Sequence, residues 1–483
     1  MRAPIFGDHV RDLAGARVLV AGARVTGASV VRVLRELGAA VTVTDSSPAQ
    51  LQILAGASGA VRLAAGLRAP PPGTDLVVTS PGFRPDAPLM LAAQRAGVPV
   101  IGDVALARWV DWARSGPERA AAHWLVVTGT NGKTTTVGML ESILLAAGMD
   151  AVACGNVGLP VLDAVRAGHR VLAVELSSFQ LHWSPGLNPA AAAVLNVAAD
   201  HLDWHGSMSA YAEAKGSVYS GCARGGTTAV FNVDDQWSTR LAAGCGGIGF
   251  TTGEPVAGQL GIVGGQLVDR AFGAQQGAEV LARLADVRPV GPHNLANALA
   301  AAALARSAGV AAQAVSQGLR AYTPGEHRSV PVGEHAGVCY IDDSKATNPH
   351  AARAALLAHP RVVWVAGGLL KGVDVEELVL DSRDRLVGAV LLGADRGVIA
   401  AALARHAPNV PVWIVDSGDD GAMNEVVAAA AGRARPGDVV LLAPAAASTD
   451  MFTDYAHRGR AFAAAVAALH RPGWPQVQGE PGE

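Results

Sequence analysis

The chain has 483 residues, half of them apolar, and carries a formal net charge of −3 at pH 7. This length suits about three domains, each with its own buried core. Charged residues make up only 16% of the sequence and form no basic run, so the composition gives no support to nucleic-acid binding. No apolar stretch is long enough to cross a bilayer and no secretory signal opens the chain, so we expect a cytoplasmic protein without membrane insertion.

The first predicted unit, residues 1–102, alternates strands and helices as a Rossmann-like nucleotide-binding domain does. Its strands are predicted at 17–21, 41–44, 75–79 and 98–101. A segment rich in charge, Gly and Pro, residues 109–123, is the first candidate linker. The last residues, 471–483, are rich in Pro and Gly and are expected to be disordered.

The second and third units, residues 103–324 and 325–483, continue the alternation. Strands of the second unit are predicted at 124–127, 171–174, 191–195 and 228–231, with a helix at 134–147. Strands of the third unit are predicted at 338–341, 362–365, 387–392, 412–415 and 439–442. The fold class is therefore α/β in three domains: a Rossmann-like domain at the N-terminus, a phosphate-loop ATPase-type parallel or mixed sheet in the centre, and a Rossmann-like doubly wound sheet at the C-terminus. Ligands of such sheets bind beyond the carboxyl ends of the strands.

Lysine is rare in this chain. Four lysines occur among 38 Lys and Arg residues, at Lys133, Lys215, Lys345 and Lys371. A lysine ammonium is a compact point charge that fits among phosphates, and its neutral amine can be modified, whereas an arginine stays protonated. We therefore interpret the four lysines as kept for chemistry that arginine cannot perform.

A phosphate-loop sequence lies between a predicted strand and a predicted helix. It reads Gly129-Thr130-Asn131-Gly132-Lys133-Thr134-Thr135. Its backbone N–H groups and the helix N-terminus can cradle phosphates, Lys133 can reach the β and γ phosphates, and Thr134 can ligate Mg²⁺. Val127 stands where the strict eight-residue pattern has its first Gly. With strand and helix in place, the loop still predicts phosphate binding.

Three further residues become informative only together with this loop. Glu175 ends a predicted strand, where its carboxylate can serve as a metal ligand beside the loop. His201 follows the next strand within DHLDWHG, and Lys215 lies in YAEAKGSVY. Each alone would be an ordinary strand-end, loop or helix-surface residue.

At this point the chain resembles a known family, the ATP-dependent Mur ligases, nearly end to end. The loop GTNGKTT is common to that superfamily, including the folylpolyglutamate synthases, so it does not select a substrate. The motifs that resemble the D-glutamate-adding members are CGNVGLP (154–160), ELSSFQL (175–181), GPHNLANALAA (291–301) and DDSKATNP (342–349). The resemblance implies ligation of D-glutamate to UDP-N-acetylmuramoyl-L-alanine in peptidoglycan precursor synthesis, with ATP and two Mg²⁺ ions as cofactors.

The resemblance also assigns roles to residues. Thr134 and Glu175 would hold one Mg²⁺, and His201 with a carbamylated Lys215 would hold the second. Carbamylation requires a neutral amine to take up CO₂, and its product is an anionic oxygen ligand that suits Mg²⁺. The residues that match nucleotide contacts, besides the phosphate loop, are Asn294, Asn297, Arg328, Asp343 and Lys345. Lys133, His201 and Lys215 are the catalytic candidates.

The two remaining substrates have their own predicted sites. Residues that match contacts of the UDP-linked substrate are Val25, Thr26, Asp45, Ser46, Ser80 and Asn156. Residues that match the D-glutamate pocket are Thr347, Lys371, Ser448 and Tyr455. Some positions depart from the family pattern: Ser47 stands where some members carry arginine, and Ala443 and Ala446 replace a Ser and a Cys.

Three other interpretations of the sequence remain open. A phosphate-loop switch or motor ATPase would hydrolyse ATP without an amino acid. A nicotinamide-dependent oxidoreductase would use the N-terminal fold, although Arg24 stands where the second Gly of a dinucleotide fingerprint should be. The nearest rival is a sister ligase that adds another amino acid. For the ligase we expect a monomer whose domains close about a hinge near Pro324.

Overall fold

The computed structural model describes residues 13–58, 61–116, 120–272, 278–416, 418 and 421–469. The predicted disordered tail, 471–483, lies outside these residues. The chain divides into two compact units, Met1–Asp286 with Ala296–Tyr322, and Val287–Leu295 with Thr323–Glu483. Two sheets lie in the first unit and a third sheet lies in the second. Within the described part of the chain, no helix has the length and apolar character that a bilayer span requires.

The first sheet is Rossmann-like, as the sequence predicts. Its parallel strands are β1 (Arg17–Ala21), β2 (Ala40–Thr44), β3 (Arg62–Leu63), β4 (Leu76–Thr79) and β5 (Val100–Gly102), in the order β3-β2-β1-β4-β5. Its helices are α1 (Val25–Glu36), α2 (Pro48–Ser58), α3 (Pro88–Arg95) and α4 (Asp103–Ala113). The strand order reverses between β1 and β4, so the loops after these strands border the ligand-binding switch point.

The predicted linker at 109–123 is wrong at its start. Trp109 and Val110 are buried in α4, which packs against the hydrophobic core of the first unit. The Gly and Pro that suggested a linker come only after this helix has ended.

The central sheet has nine strands. They are β6 (His123–Thr128), β7 (Ala151–Gly155), β8 (Val171–Glu175), β9 (Ala191–Val194), β10 (Thr228–Asn232), β11 (Ile248–Phe250), β12 (Gln259–Val263), β13 (Gln266–Asp269) and β14 (Glu279–Arg283). The order is β14-β13-β12-β11-β10-β9-β6-β8-β7. Every pair of neighbouring strands among β6 to β12 is parallel. The strand β13 is antiparallel to both of its neighbours, β12 and β14. The sheet is therefore mixed, with its parallel part under the phosphate loop.

The helices that accompany this sheet place the candidate residues. They are α5 (Lys133–Ala146), α6 (Val161–Ala167), α7 (Ser178–His182), α8 (Leu202–His205), α9 (Met208–Gly216), α10 (Gln236–Leu241), α11 (Pro292–Ser307) and α12 (Ala312–Ala321). The phosphate loop joins β6, which is buried over most of its length, to α5, in which half of the residues are buried.

The second unit holds a six-stranded sheet. Its strands are β15 (Val330–His335), β16 (Val338–Asp342), β17 (Val362–Gly367), β18 (Leu386–Leu392), β19 (Val412–Ile414) and β20 (Val439–Leu442), in the order β15-β16-β20-β17-β18-β19. Its helices are α13 (Pro349–Leu357), α14 (Glu376–Ser382), α15 (Arg396–His406), α16 (Ala422–Ala431) and α17 (Tyr455–Ala468). All pairs are parallel except β15 with β16. Two hydrophobic clusters cover its two faces, as expected for a doubly wound sheet.

Candidate active site

The phosphate loop has the backbone conformation that its glycines permit. Gly129 and Gly132 have φ values of 155° and 86°, which side chains other than hydrogen rarely allow. A Cβ on Gly132 would lie 2.3 Å from Oδ1 of Asn297, so this predicted nucleotide contact already lies beside the loop. The Lys133 ammonium donates to the carbonyl oxygens of Gly129 and Thr130, at 2.9 Å each. It is thus held over the hollow of the loop.

Asn196, which sequence reasoning did not select, fastens this loop to the end of β9. Its Oδ1 accepts from the Asn131 N–H at 2.9 Å, its Nδ2 donates to the Asn131 carbonyl at 3.2 Å, and its own carbonyl accepts from the Thr130 N–H. The Thr130 hydroxyl lies 3.1 Å from the Tyr211 hydroxyl and donates to the Ala198 carbonyl. The one feature of the sequence that could have indicated this role is the position of Asn196 directly after a predicted strand, at the edge of the sheet where ligands bind.

Glu175 is a buried carboxylate shared by two predicted site residues. Its Oε2 accepts a hydrogen bond from the Thr134 hydroxyl at 2.6 Å, and its Oε1 accepts from Nδ2 of Asn156 at 2.8 Å. A Cβ on Gly155, whose φ is 121°, would lie 2.1 Å from the Glu175 carbonyl oxygen, so β7 approaches β8 closely here. The structure therefore brings together the metal ligands that the sequence predicts for the nucleotide-bound ion.

Lys215 is buried inside the first unit, not on the helix surface. Only 1% of its surface is exposed, and its Nζ donates to the Gly129 carbonyl at 2.8 Å. The same Nζ lies 4.5 Å from the centre of the Tyr211 ring. Burial, and next the Lys133 ammonium, holds the pKa of the Lys215 amine well below its usual range. This environment favours the neutral amine that carbamylation requires.

His201 lies at the same edge of the sheet, with a positive φ of 54° and a half-exposed side chain. Its Nε2 is 3.6 Å from Oδ2 of Asp200, and its ring packs 4.7 Å from that of Phe179. Partial burial is the largest cause that lowers the pKa of this imidazole; Asp200 opposes it, while Lys215 and Lys133 act with it. His201 and Lys215 are thus close enough to interact electrostatically.

The oxygen atoms of Thr134 and Glu175 suit Mg²⁺, which needs few protein ligands, better than they suit a metal ion that is coordinated by protein side chains alone. Within the described ranges, no group of three or more His, Cys, Asp or Glu side chains could hold a metal ion. Thr134 and Glu175 instead offer two hard oxygen atoms beside a phosphate-binding loop. Mg²⁺ keeps several waters and takes its other ligands from substrate phosphates, so few protein ligands suffice.

The loops around the switch point of the first sheet contain the predicted UDP-side residues. Asp45 accepts from the backbone N–H of Ala23 at 2.8 Å and of Ser47 at 2.9 Å, so it ties the loop after β1 to the loop after β2. A Cβ on Gly22 would lie 2.2 Å from the Ser80 hydroxyl, which places Ser80 against the β1 loop. Val25, 70% exposed, lies in the first turn of α1 with Thr26, and Ser46 is exposed.

In the second unit, three loops at the carboxyl edge of the sheet are joined by backbone hydrogen bonds. Leu369 and Ala447 exchange hydrogen bonds at 2.8 and 2.9 Å, which brings the loops of Lys371 and Ser448 together. The Ala445 N–H donates to the Ala346 carbonyl, which adds the loop that carries Thr347. The Lys345 ammonium lies 3.8 Å from the centre of the Tyr455 ring. The residues predicted for D-glutamate therefore share one region.

Two of the nucleotide residues predicted for the second unit, Arg328 and Asp343, lie near each other. The Asp343 carboxylate accepts a hydrogen bond from the backbone N–H of Ser329 at 3.1 Å. Ser329 is the residue after Arg328 in the chain. Desolvation raises the pKa of the Asp343 carboxyl to about 7, against the opposing effects of the Ser329 hydrogen bond and the Arg328 charge. Asn294 is buried, and its Nδ2 lies 2.9 Å from Nε2 of His293.

Sequence reasoning also missed Arg458, an arginine on α17 that is 1% exposed. Its guanidinium donates to the hydroxyl and carbonyl of Ser344 at 3.0 Å, and to the carbonyls of Gly367 and Ala446. It therefore fastens the same three loops from beneath, and burial lowers its pKa to about 10. Nothing in HRGRAF marks this arginine, because its partners are distant in sequence.

The three α/β sheets, with a phosphate loop on the central one, define a phosphate-loop nucleotide-binding protein. Three family descriptions match the chain: a Mur ligase MurD-like N-terminal domain at residues 16–102, a Mur ligase middle domain at 127–305, and a Mur ligase glutamate ligase domain at 327–446. The chain therefore belongs to the Mur ligase family. The exact domain boundaries remain predictions.

Among similar proteins are two named UDP-N-acetylmuramoylalanine--D-glutamate ligase. The protein of Nocardia farcinica is 53% identical over 478 residues, which cover 95% of this chain and 97% of that protein. The protein of Streptomyces coelicolor is 53% identical over 474 residues, covering 95% and 99%. The solved structure of UDP-N-acetylmuramate-alanine ligase from Thermotoga maritima has a TM-score of 0.56 at 18% identity, covering 94% of this chain and 99% of that one. It shares the fold.

Proposed function

We propose that this protein is a cytoplasmic, monomeric ligase that adds D-glutamate to UDP-N-acetylmuramoyl-L-alanine at the expense of ATP. The observation that carries this proposal is 53% identity, over 95% of the chain, to proteins named for that activity. The buried Lys215 beside the phosphate loop, and the contact between Thr134 and Glu175, support the same chemistry.

A carboxylate resists attack by an amine, so it must first be activated. In the proposed reaction an oxygen of the alanine carboxylate attacks the γ-phosphorus of ATP. The bond from this phosphorus to the β–γ bridging oxygen breaks, so ADP leaves and an acyl phosphate forms. The D-glutamate amine then attacks the acyl carbon and phosphate departs. Gly129 to Thr135 would hold the phosphates through backbone N–H groups, and Lys133 would offset the charge on the transferred group.

Thr134 and Glu175 would hold one Mg²⁺ ion, and His201 with a carbamylated Lys215 would hold a second. When bound, these ions would offset the negative charge that develops on the phosphoryl oxygens. The fit for carbamylation rests on the burial of Lys215, which lowers the pKa of its amine and so favours the neutral form that reacts with CO₂. Burial would equally protect the product from exchange with solvent.

The other predicted residues would position the substrates. Ser80 and Asn156 would contact the muramoyl side, and Val25, Thr26, Asp45 and Ser46 the uridine diphosphate. Lys371 would pair with a carboxylate of D-glutamate, with Thr347, Ser448 and Tyr455 around it. For the nucleotide we propose Asn294, Asn297, Arg328, Asp343 and Lys345. Holding the reactants in line supplies much of the rate enhancement in such a reaction.

The proposal is tested by phosphate release from ATP and Mg²⁺ with UDP-N-acetylmuramoyl-L-alanine and one amino acid at a time. We expect release with D-glutamate and none with L-glutamate, L-lysine or meso-diaminopimelate. Release with one of the other amino acids alone would overturn the choice of acceptor. Release with no acceptor would favour an ATPase whose output is conformational.

A further inference from the structure

Asp395 is the N-cap residue of α15, yet its side chain does not cap this helix. Aspartate is preferred at an N-cap because its carboxylate accepts hydrogen bonds from the N–H groups of the first turn. Here the N–H groups of Arg396 and Val398 donate to the backbone carbonyls of Gly393 and Asp395 instead. The role of this carboxylate therefore lies outside its own helix.

The Asp395 carboxylate contacts the loop that follows β17. Its Oδ2 accepts a hydrogen bond from the backbone N–H of Leu370 at 2.7 Å, and the Asp395 N–H donates to the Gly368 carbonyl at 3.0 Å. A Cβ on Gly393 would lie 2.6 Å from the Gly368 nitrogen, so the two loops meet at backbone distance. One residue thus joins the loop after β18 to the loop after β17 through both its side chain and its backbone.

Lys371 directly follows Leu370 and has a φ of 54°, in the left-handed region. Residues other than glycine adopt this conformation at a cost in free energy, so surrounding contacts must hold it. The two residues before it are fixed from both sides, because Leu369 exchanges hydrogen bonds with Ala447 and Leu370 is bonded to Asp395. The direction in which a side chain leaves the backbone depends on the backbone conformation. These bonds therefore help to set the direction of the Lys371 side chain.

We propose that Asp395 is a positioning residue for the acceptor: through the Leu370 N–H it holds the left-handed turn that directs the Lys371 ammonium to the amino acid. This inference rests on the proposed function, in which Lys371 pairs with a carboxylate of D-glutamate. Such a pair needs its charges in a defined place, so relaxation of the turn lowers affinity for D-glutamate and leaves the ATP site as it is. Asp395 acts through Lys371 and does not touch the substrate.

Three substitutions of Asp395 separate this role from helix capping. Serine caps helices about as well as aspartate, but its hydroxyl is one bond closer to the backbone and falls short of the Leu370 N–H. Asparagine also caps, and its amide oxygen keeps the reach of the carboxylate. A capping role predicts that Asp395→Ser is harmless and that only Asp395→Ala does damage. The proposal predicts that Asp395→Ser resembles Asp395→Ala and that Asp395→Asn resembles the wild type.

The kinetic readout is the apparent KM for D-glutamate, measured beside that for ATP by phosphate release. We expect Asp395→Ser and Asp395→Ala to raise the KM for D-glutamate about tenfold and to leave the KM for ATP within about twofold of the wild type. Both KM values of Asp395→Asn should stay within about twofold of the wild type. In a Lys371→Met background the same substitutions should add nothing, because the group that Asp395 positions is gone.

The matched control is Asp438→Ala. Asp438 is a buried acid directly before β20, at the opposite end of the strands of the same sheet, where it accepts from the Arg435 N–H and the Arg361 guanidinium. Loss of these bonds should lower the stability of the protein and leave both KM values unchanged. A general loss of stability in this sheet is thereby separated from a change in the acceptor pocket.

A second readout does not depend on the reaction. Amide exchange of Leu370, followed by NMR in the enzyme without substrates, should be about tenfold faster in Asp395→Ser and unchanged in Asp395→Asn. If Asp395→Ala does not fold, the serine and asparagine variants still decide the matter.

Three results would each overturn the inference: unchanged Leu370 exchange in Asp395→Ser, an unchanged KM for D-glutamate in a variant whose exchange is faster, or a full further rise of this KM in the Lys371→Met background. A wild type without D-glutamate-dependent turnover overturns the proposed function instead. In that case the exchange of Leu370 still decides whether Asp395 holds the loop.

Discussion

Replacing Lys215 with methionine should slow ligation by a factor of about 10² to 10³ while leaving the fold about as stable as before. The change shortens the unbranched side chain by one atom and removes the amine that carbamylation requires. Lys215 is 1% exposed, so a polar side chain there would lack water to bind. Methionine is apolar and fits a buried site without that requirement.

The structure sets the expected size of both effects. The Gly129 carbonyl loses the bond from Lys215 and keeps the one from Lys133 at 2.9 Å, so no buried acceptor is left unpaired. The free energy of unfolding should therefore change by about 1 kcal/mol or less. Loss of one preorganised charged group at the transferring phosphoryl group costs about 10²- to 10³-fold in kcat.

The assays are thermal unfolding for stability and D-glutamate-dependent phosphate release for turnover. Two companion variants sharpen the result. Lys215→Ala leaves space for a small anion, so formate or acetate should restore part of its activity, whereas Lys215→Arg has no such space. Removal of CO₂ and bicarbonate should slow the wild type and leave rescued Lys215→Ala unaffected. Normal turnover in Lys215→Met, or in Lys215→Arg without added carboxylate, would refute a carbamate on this residue.

Three other predictions concern Lys133, Lys371 and Asp103. Lys133→Ala should lower kcat/KM for ATP by about 10³-fold, since its ammonium is held over the phosphate loop; normal turnover would remove the phosphate-loop assignment. Lys371→Met should raise the apparent KM for D-glutamate far more than that for ATP, and a reversed pattern would move Lys371 out of the acceptor pocket. Asp103→Asn should stabilise the protein, because burial raises the pKa of this carboxyl to about 6, so the folded state binds more protons than the unfolded state between about pH 4 and 6. Stability from this group is present at low pH and is lost as pH rises through 6, so the variant should gain about 3 kcal/mol at pH 7.5 and nothing near pH 4; an equal gain in thermal unfolding at both pH values would contradict this reasoning.

Much of the candidate site follows from the sequence because the sheets are parallel. Strands that run in one direction end at one edge, so residues placed directly after them must meet. Glu175 ends β8 and Asn156 directly follows the neighbouring strand β7, and the two side chains are hydrogen-bonded, as this rule requires. The phosphate loop was visible because only glycine suits the backbone at Gly129 and Gly132.

The antiparallel end of the central sheet was not visible in the sequence. The strands β12 and β13 have four or five residues each and are joined by Gly264 and Gly265, so they offer no long β-branched run. The strands β12 and β13 are stabilised by pairing with β11 and β14. The intrinsic strand propensity of a short segment does not reveal such pairing.

Buried polar residues could not be predicted from the sequence either. Arg458 lies in a stretch that looks like an ordinary helix, and Lys215 resembles a surface lysine. Their roles depend on partners far along the chain: Arg458 contacts Ser344, 114 residues away. Burial and long-range hydrogen bonds are properties of the folded chain, so a local pattern cannot report them.

The proposed reaction is tested most directly by the fate of oxygen from the substrate carboxylate. UDP-N-acetylmuramoyl-L-alanine labelled with ¹⁸O in both carboxylate oxygens is incubated with ATP, Mg²⁺ and D-glutamate, and both products are analysed by mass spectrometry. An acyl phosphate requires that one ¹⁸O appears in the released phosphate and one remains in the new peptide bond of the D-glutamate adduct. Unlabelled phosphate, or labelled phosphate without the D-glutamate adduct, would contradict the account.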